Sequence, residues 1–189
     1  MTERVVGTIT STGFASGDQF VVGRWETTPV GAFGDVMWRS PSGHRTLFAS
    51  SDAAAEYITA IYAFDQVMVV DLSVVGDRRS TTVESARLSL QLRSGRRRPI
   101  PLRRPRAVTR WIEAPIARRL MGVEVHGTSP LGVREWYQSS GWSWIDAGRG
   151  ELDGADLGGV TRLEHPMGVG FSDPPPRPSI VSVRVAIER

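Results

Sequence analysis

Apolar residues along this chain recur mostly at every second position, the period of a strand that buries one face. Residues 19–26 combine Val, Phe and Trp after a Gly/Ser-containing entry and predict a strand. Residues 1–17 before it read as an irregular N-terminal segment. Residues 34–39 and 45–48 flank Pro41-Ser42-Gly43, a turn cluster, and predict a hairpin. The β-branched run over 67–75 predicts a buried strand. Over 82–93, Val83, Leu88, Leu90 and Leu92 stand against the polar Arg87, Ser89, Gln91 and Arg93. Ser94-Gly95 then turns the chain back through 96–102, where Pro99 and Pro101 confine the return to a sheet edge. Further strands are expected over 123–126, 132–138, 142–145 and 149–152. Residues 179–187 close the chain, with Val181, Val183, Val185 and Ile187 on one face.

Two segments change to the helical period. Ser51 or Asp52 caps an Ala-rich run over 53–64, in which Tyr57, Ile58, Ile61 and Tyr62 follow helical spacing. Residues 107–121 predict a second helix that starts near Ala114, because Pro115 suits a first turn, and stops at Gly122. Strands do not alternate regularly with helices, which disfavours a doubly wound parallel sheet. The expectation is a strand-dominated α+β fold with an antiparallel sheet and two main helices, one domain over residues 1–189. Residues 172–178 form a proline-rich stretch, read as a stiff loop feeding the last strand, with a polyproline ligand as the other reading.

Composition narrows the chemistry. The 189 residues are 40% hydrophobic and include six tryptophans, enough to build a core. There is no lysine, so Schiff-base and phosphate-loop chemistry are excluded. There is no cysteine, so thiolate nucleophiles, zinc fingers and disulfides are excluded too. His44, His126 and His165 lie far apart with no metal-ligand spacing, and no cofactor motif occurs. Gly168-Val169-Gly170-Phe171 lacks the third glycine of a dinucleotide loop. No run approaches the roughly 20 apolar residues of a membrane span, and the N-terminus lacks the pattern of a signal peptide. A cytoplasmic protein, monomeric or a small homo-oligomer, is expected.

Charge is uneven. All 23 basic residues are arginine, and ten of them fall within residues 93–119 against a single acid, Glu113. The pI of about 10.1 overstates basicity, because little titrates between pH 7 and 10 in a chain without Lys or Cys, and the net charge is only +3. Arg96, Arg97, Arg98, Arg103, Arg104 and Arg106 form a candidate polyanion or nucleic-acid surface. The same charges and prolines on a hairpin edge would also block edge-to-edge aggregation. Trp111 is the only aromatic in the segment for stacking on bases.

A second constellation joins Arg110, Trp111 and Glu113 with His126 and with Arg134, Glu135, Trp136 and Tyr137. If these segments converge, a guanidinium could grip a carboxylate between aromatic walls. Alternation puts Arg134 and Trp136 on one face of their strand and Glu135 and Tyr137 on the other, so one pocket cannot easily use all four. An ordinary Arg–Glu pair among core aromatics is the other reading.

Gly132-Val133-Arg134-Glu135, preceded by Thr128-Ser129-Pro130-Leu131, resembles the acetoacetate decarboxylase-like superfamily, in which such a stretch precedes the Schiff-base lysine. Where that lysine falls, this chain runs Gln138-Ser139-Ser140-Gly141-Trp142. The resemblance covers about a third of the chain. It implies a strongly curved antiparallel sheet or open barrel around an apolar cavity, without the decarboxylation chemistry. As a whole the sequence also resembles a family of uncharacterised proteins from high-GC Gram-positive bacteria. The expected function is therefore non-catalytic binding of a small, partly apolar, carboxylate-bearing ligand, with Arg134 or Arg110 as anion grip. Trp136, Trp111 and Trp38 would be walls, with Glu135, Glu113 and His126 as polar partners. Polyanion binding through 93–119 and a protein-interaction role are the alternatives.

Overall fold

The computed structural model describes residues 2–100, 126–129, 131–170 and 172–188. Among the described residues the strands that carry the central sheet are β1 (Thr2–Phe14), β2 (Gln19–Thr27), β3 (Phe33–Arg39), β4 (Arg45–Ala49), and, late in the chain, β11 (Arg134–Leu152) and β14 (Ser179–Glu188). Between them lie α1 (Asp52–Thr59), β5 (Gln66–Val69), β6 (Ser73–Gly76), β7 (Ser80–Glu84), β8 (Leu88–Ser94), β9 (Arg98–Pro99), β10 (His126–Thr128), β12 (Ala155–Asp156) and β13 (Val160–Thr161). The strands join one sheet in the order β5-β4-β3-β2-β1-β14-β11-β8-β7-β6. Among the described residues every pairing is antiparallel except β4 with β5, which α1 connects as a crossover.

The sheet is curled. Its two edge strands, β5 and β6, are separated by only three residues, 70–72, a link that spans at most roughly 14 Å. The ends of the order must therefore approach each other, and Val74 of β6 packs against Gly34 of β3. The bending is concentrated in β11, whose 19 residues contain register shifts between Ser139 and Gly141 and between Ile145 and Ala147. Such bulges insert an unpaired residue and sharpen the local twist. The first half of β11 pairs with β14 and the second half with β8, so one strand turns the corner of the molecule.

Both faces of the central strands are covered. Even-numbered residues Phe14, Phe20, Val22, Val36 and Phe48 pack with Val83, Leu88, Leu90 and Leu92 of the β7–β8 lobe. Odd-numbered residues of the same strands, among them Met37 and Leu47, meet Ala54, Tyr57, Ile58 and Ile61 of α1 and its C-terminal extension. Each fully buried Phe or Leu contributes about 1.5–3 kcal/mol of transfer free energy, so both layers are stabilising.

Several expectations hold in place. The β3–β4 hairpin forms, with Gly43 at φ 91° in its turn, where a side chain would be strained. Ser51 is the cap of α1, its Oγ accepting from the Ala54 backbone N–H at 3.2 Å. Others need correction. Residues 2–14, expected irregular, form β1 at the middle of the sheet, because the β-branched Val5, Val6, Thr8, Ile9, Thr10 and Thr12 favour a pleated strand. The run over 67–75 is two edge strands, with Val67, Val69 and Val75 exposed, since Asp71 and Leu72 occupy the crossing between sheet ends. Residues 82–93 split into β7 and β8 around a turn closed by the Ser85 N–H on the Leu88 carbonyl at 2.9 Å. The strands expected over 132–138, 142–145 and 149–152 are one strand, its glycines serving as bulge and close-packing positions. One helix, not two, occurs among the described residues, and the segment 107–121 expected to be the second lies outside them. Among the described residues no helix is long and apolar enough to cross a membrane.

Candidate functional site

The odd-numbered face is not filled everywhere. A cavity of about 180 Å³ opens on it, floored by Ile9 and Ser11 of β1, Val21, Gly23 and Trp25 of β2, Asp35 and Met37 of β3, and Val181 and Val183 of β14. Tyr137 and Ser139 of β11, Tyr62 after α1, and Met167, Val169 and residues 172–175 form its walls. Small side chains, Ser11, Gly23, Ser139 and Ser179, leave room among the larger residues of the lining. At one level across the sheet the row runs Ile9, Gly23, Asp35 and Ala49. A Cβ at Gly23 would collide with the Asp35 carboxylate and the Trp25 indole nitrogen.

Asp35 is the polar centre of this floor. It is 1% exposed, and its Oδ1 accepts from Trp25 Nε1 at 2.7 Å. Its Oδ2 is buried with no hydrogen-bond partner. Burial pushes its pKa up to about 7, against the opposing effect of the Trp25 hydrogen bond. A carboxyl group placed this way is poised between acid and carboxylate near neutral pH.

A second polar group stands at the wall. Tyr62 Oη donates to Glu135 Oε2 at 2.6 Å, Tyr137 Oη donates to the same oxygen at 2.9 Å, and the two hydroxyls lie 2.6 Å apart. Three short contacts share two hydroxyl protons, so a proton on Glu135 would complete the ring. Burial raises the Glu135 pKa, opposed by the two tyrosine hydrogen bonds. Burial likewise holds both tyrosines well above the ordinary phenol value, with the nearby carboxylate adding to it.

The residues singled out from sequence are dispersed. Glu135 is 3% exposed and reaches the cavity wall through Tyr62 and Tyr137. Arg134 and Trp136 project from the opposite face of β11, as alternation requires, and Arg134 is exposed. Trp136 stacks on His126 with ring centroids 4.9 Å apart. Trp38 belongs to the even-numbered layer, where it stacks on Phe48 and its Nε1 donates to Asp18 Oδ1 at 2.7 Å. Arg110, Trp111, Glu113, Arg103, Arg104 and Arg106 lie outside the described residues.

Arg96 and Arg98 are exposed and Arg97 is half-buried, with its guanidinium donating to the Ser140 carbonyl at 3.3 Å. Arg98 lies 4.7 Å over the Trp142 ring, which meets Trp144 at 4.4 Å, and Arg177 lies 4.9 Å over Trp144. Among the described residues no cluster of His, Asp or Glu is arranged to hold a metal ion.

Sequence reasoning missed Asp35, Trp25, Gly23 and Tyr62. A signal for Asp35 was present: it falls on the same strand face as Phe33 and Met37, an apolar face on which a carboxylate is out of place. Nothing in the sequence connects Tyr62 with Glu135, 73 residues away. No family model, no curated protein and no solved structure matches the chain.

Proposed function

We propose that this chain is a non-catalytic binding protein for a small, largely apolar molecule held in the cavity on the odd-numbered face. The observation that carries this reading is a cavity bounded mainly by Ile, Val, Met and aromatic side chains, with Asp35, whose Oδ2 is buried without a partner, among its lining residues. Ligand sites commonly combine an apolar enclosure with a few fixed polar atoms in this manner. Its size is comparable with a cavity of ~150 Å³ that takes up benzene, so the ligand body is about one ring in bulk. The likeness of residues 128–135 to the acetoacetate decarboxylase-like superfamily supports the same reading, since it implies an apolar cavity inside a curved sheet. The carboxylate preference has less support, because Arg134 stands on the other face and no cation lines the cavity among the described residues.

Thermal melts of the purified protein against a panel of small apolar molecules test this. Binding to the folded state raises the melting temperature by mass action. Val181→Phe fills the floor and is expected to abolish the shifts. No shift from any member, or shifts that survive Val181→Phe, would overturn the proposal.

Polyanion binding has one observation in its favour, the Arg98–Trp142–Trp144–Arg177 array, which combines cations with stacking surfaces. Affinity for single-stranded nucleic acid that falls steeply with salt and is lost in Trp142→Ala would support it.

A further inference from the structure

The polar groups facing the cavity share one character. Asp35 enters from β3 between Gly23 of β2 and Ala49 of β4, so neither flanking strand sends a charge toward it. The other titratable groups at the cavity are Tyr62 after α1, Tyr137 of β11 with Glu135 beside it, and Asp173 in the loop before β14. Asp173 Oδ1 is taken by the backbone N–H groups of Met167 and Gly168, at 2.6 and 3.2 Å. All of these groups are acids. Neither arginine nor histidine lines the cavity among the described residues.

We propose that the cavity takes a small apolar amine, with its ammonium N–H on Asp35 Oδ2 and its hydrocarbon body against Ile9, Val21 and Val181. This rests on the reading of the cavity as a binding site and names the ligand class for it. Charge-assisted hydrogen bonds between ammonium and carboxylate are short and strong, and a buried charge is tolerated when it is paired. Trp25 already fixes the carboxylate through Oδ1, so the free oxygen is held in place before a ligand arrives. A carboxylate ligand would instead meet Asp35 as a like charge. An alcohol could serve Oδ2 but would bring no countercharge.

The proposal has a pH signature. With the Asp35 carboxyl near pKa 7, the ionised form that an ammonium needs falls about tenfold between pH 8 and pH 6. An aliphatic amine remains protonated over that range, so amine affinity should fall by the same factor, while a neutral ligand shows no such loss.

The test is calorimetric titration of the purified chain with 2-phenylethylamine and 2-phenylethanol, which share a skeleton, at pH 8 and pH 6. Wild type, Asp35→Asn and Val181→Phe are compared. The amine is expected to bind wild type about tenfold or more tighter than the alcohol at pH 8. It should weaken roughly tenfold by pH 6 and lose its advantage in Asp35→Asn. Both ligands should be lost in Val181→Phe. An alcohol that binds as well as the amine at pH 8, or an amine preference that persists in Asp35→Asn, overturns the amine assignment and leaves the binding-site reading standing. Binding of neither ligand, or amine binding that survives Val181→Phe, overturns both. Should Asp35→Asn fail to fold, the comparison of the two ligands at two pH values in wild type decides the matter.

Discussion

The central strands present two faces made from the same backbone, and the two have been filled in different ways. On the even-numbered face Phe20, Val22, Val36 and Phe48 interdigitate with Leu88, Leu90 and Leu92, and the buried hydroxyls of Thr10 and Thr81 satisfy each other at 2.6 Å. On the odd-numbered face the same strands carry Ser11, Gly23 and Ser179 beside Val and Ile, together with Asp35, whose second oxygen has no partner. Native cores are close-packed, so the even-numbered face follows the rule and the odd-numbered face departs from it. A buried oxygen without a partner occurs on both, Thr46 Oγ1 on the even side and Asp35 Oδ2 on the odd, but only the odd-numbered one belongs to an ionisable group beside open space. Departures of that kind concentrate where a protein meets a ligand. A strand that must close a core on one side can therefore keep a site on the other, because successive side chains point in opposite directions.

The contrast can be broken most severely at Leu90, which is fully buried in the closed layer. Leu90→Ala is expected to cost about 2–5 kcal/mol in urea unfolding, through lost transfer energy and a residual hole. Ligand-induced melting shifts, referred to that variant's own baseline, should persist. Val181→Phe on the open side should do the reverse, changing stability by about 1 kcal/mol or less while removing the shifts.

Asp35 gives the next effect, and its sign is set by the direction of its pKa change. The folded-state value, about 7, lies above the ordinary value of 3.8, so the folded protein holds this proton more tightly than the unfolded chain. The stabilisation is fully present below pH 3.8 and is lost as pH rises through 7. Between pH 5 and pH 8 the loss from this one group is on the order of 2–3 kcal/mol. Asp35→Asn should remove that slope, so the variant gains on wild type at pH 8 relative to pH 5. Urea midpoints at the two pH values check it, and parallel profiles for both proteins would refute it.

Gly23→Val forces a side chain into the Asp35–Trp25 pair and is expected to destabilise by about 1–3 kcal/mol while suppressing ligand shifts. The smallest effect lies away from either face. Ser51→Ala removes the cap on α1 and should cost about 1 kcal/mol in thermal unfolding, with ligand shifts unchanged.

Much of the scaffold was legible because its signals are local. The Pro41-Ser42-Gly43 turn, the Ser51 cap, the alternation of Leu88, Leu90 and Leu92, and that of Val181 to Ile187 each lie within a few residues and needed no knowledge of the partner strand. The continuity of β11 was hidden by the gaps between the strands expected over 132–138, 142–145 and 149–152, where Gly141 sits at a bulge and Gly148 abuts Leu92 and Val160. The site was harder to see because it is assembled from β1, β2, β3, β11 and β14, and its key residue is a lone aspartate. The facing of Glu135 and Tyr137 followed from alternation alone, but their meeting with Tyr62 is a long-range event that only the fold supplies.

The most direct test of the difference between the two faces is a crystal structure of the protein under xenon pressure, since dry apolar cavities of this size take up xenon. The account predicts a xenon atom on the odd-numbered face among Ile9, Val21 and Val181, and none between Phe20 and Leu90. Xenon lodged within the even-numbered layer, or a packed odd-numbered face with no space for it, would contradict the account.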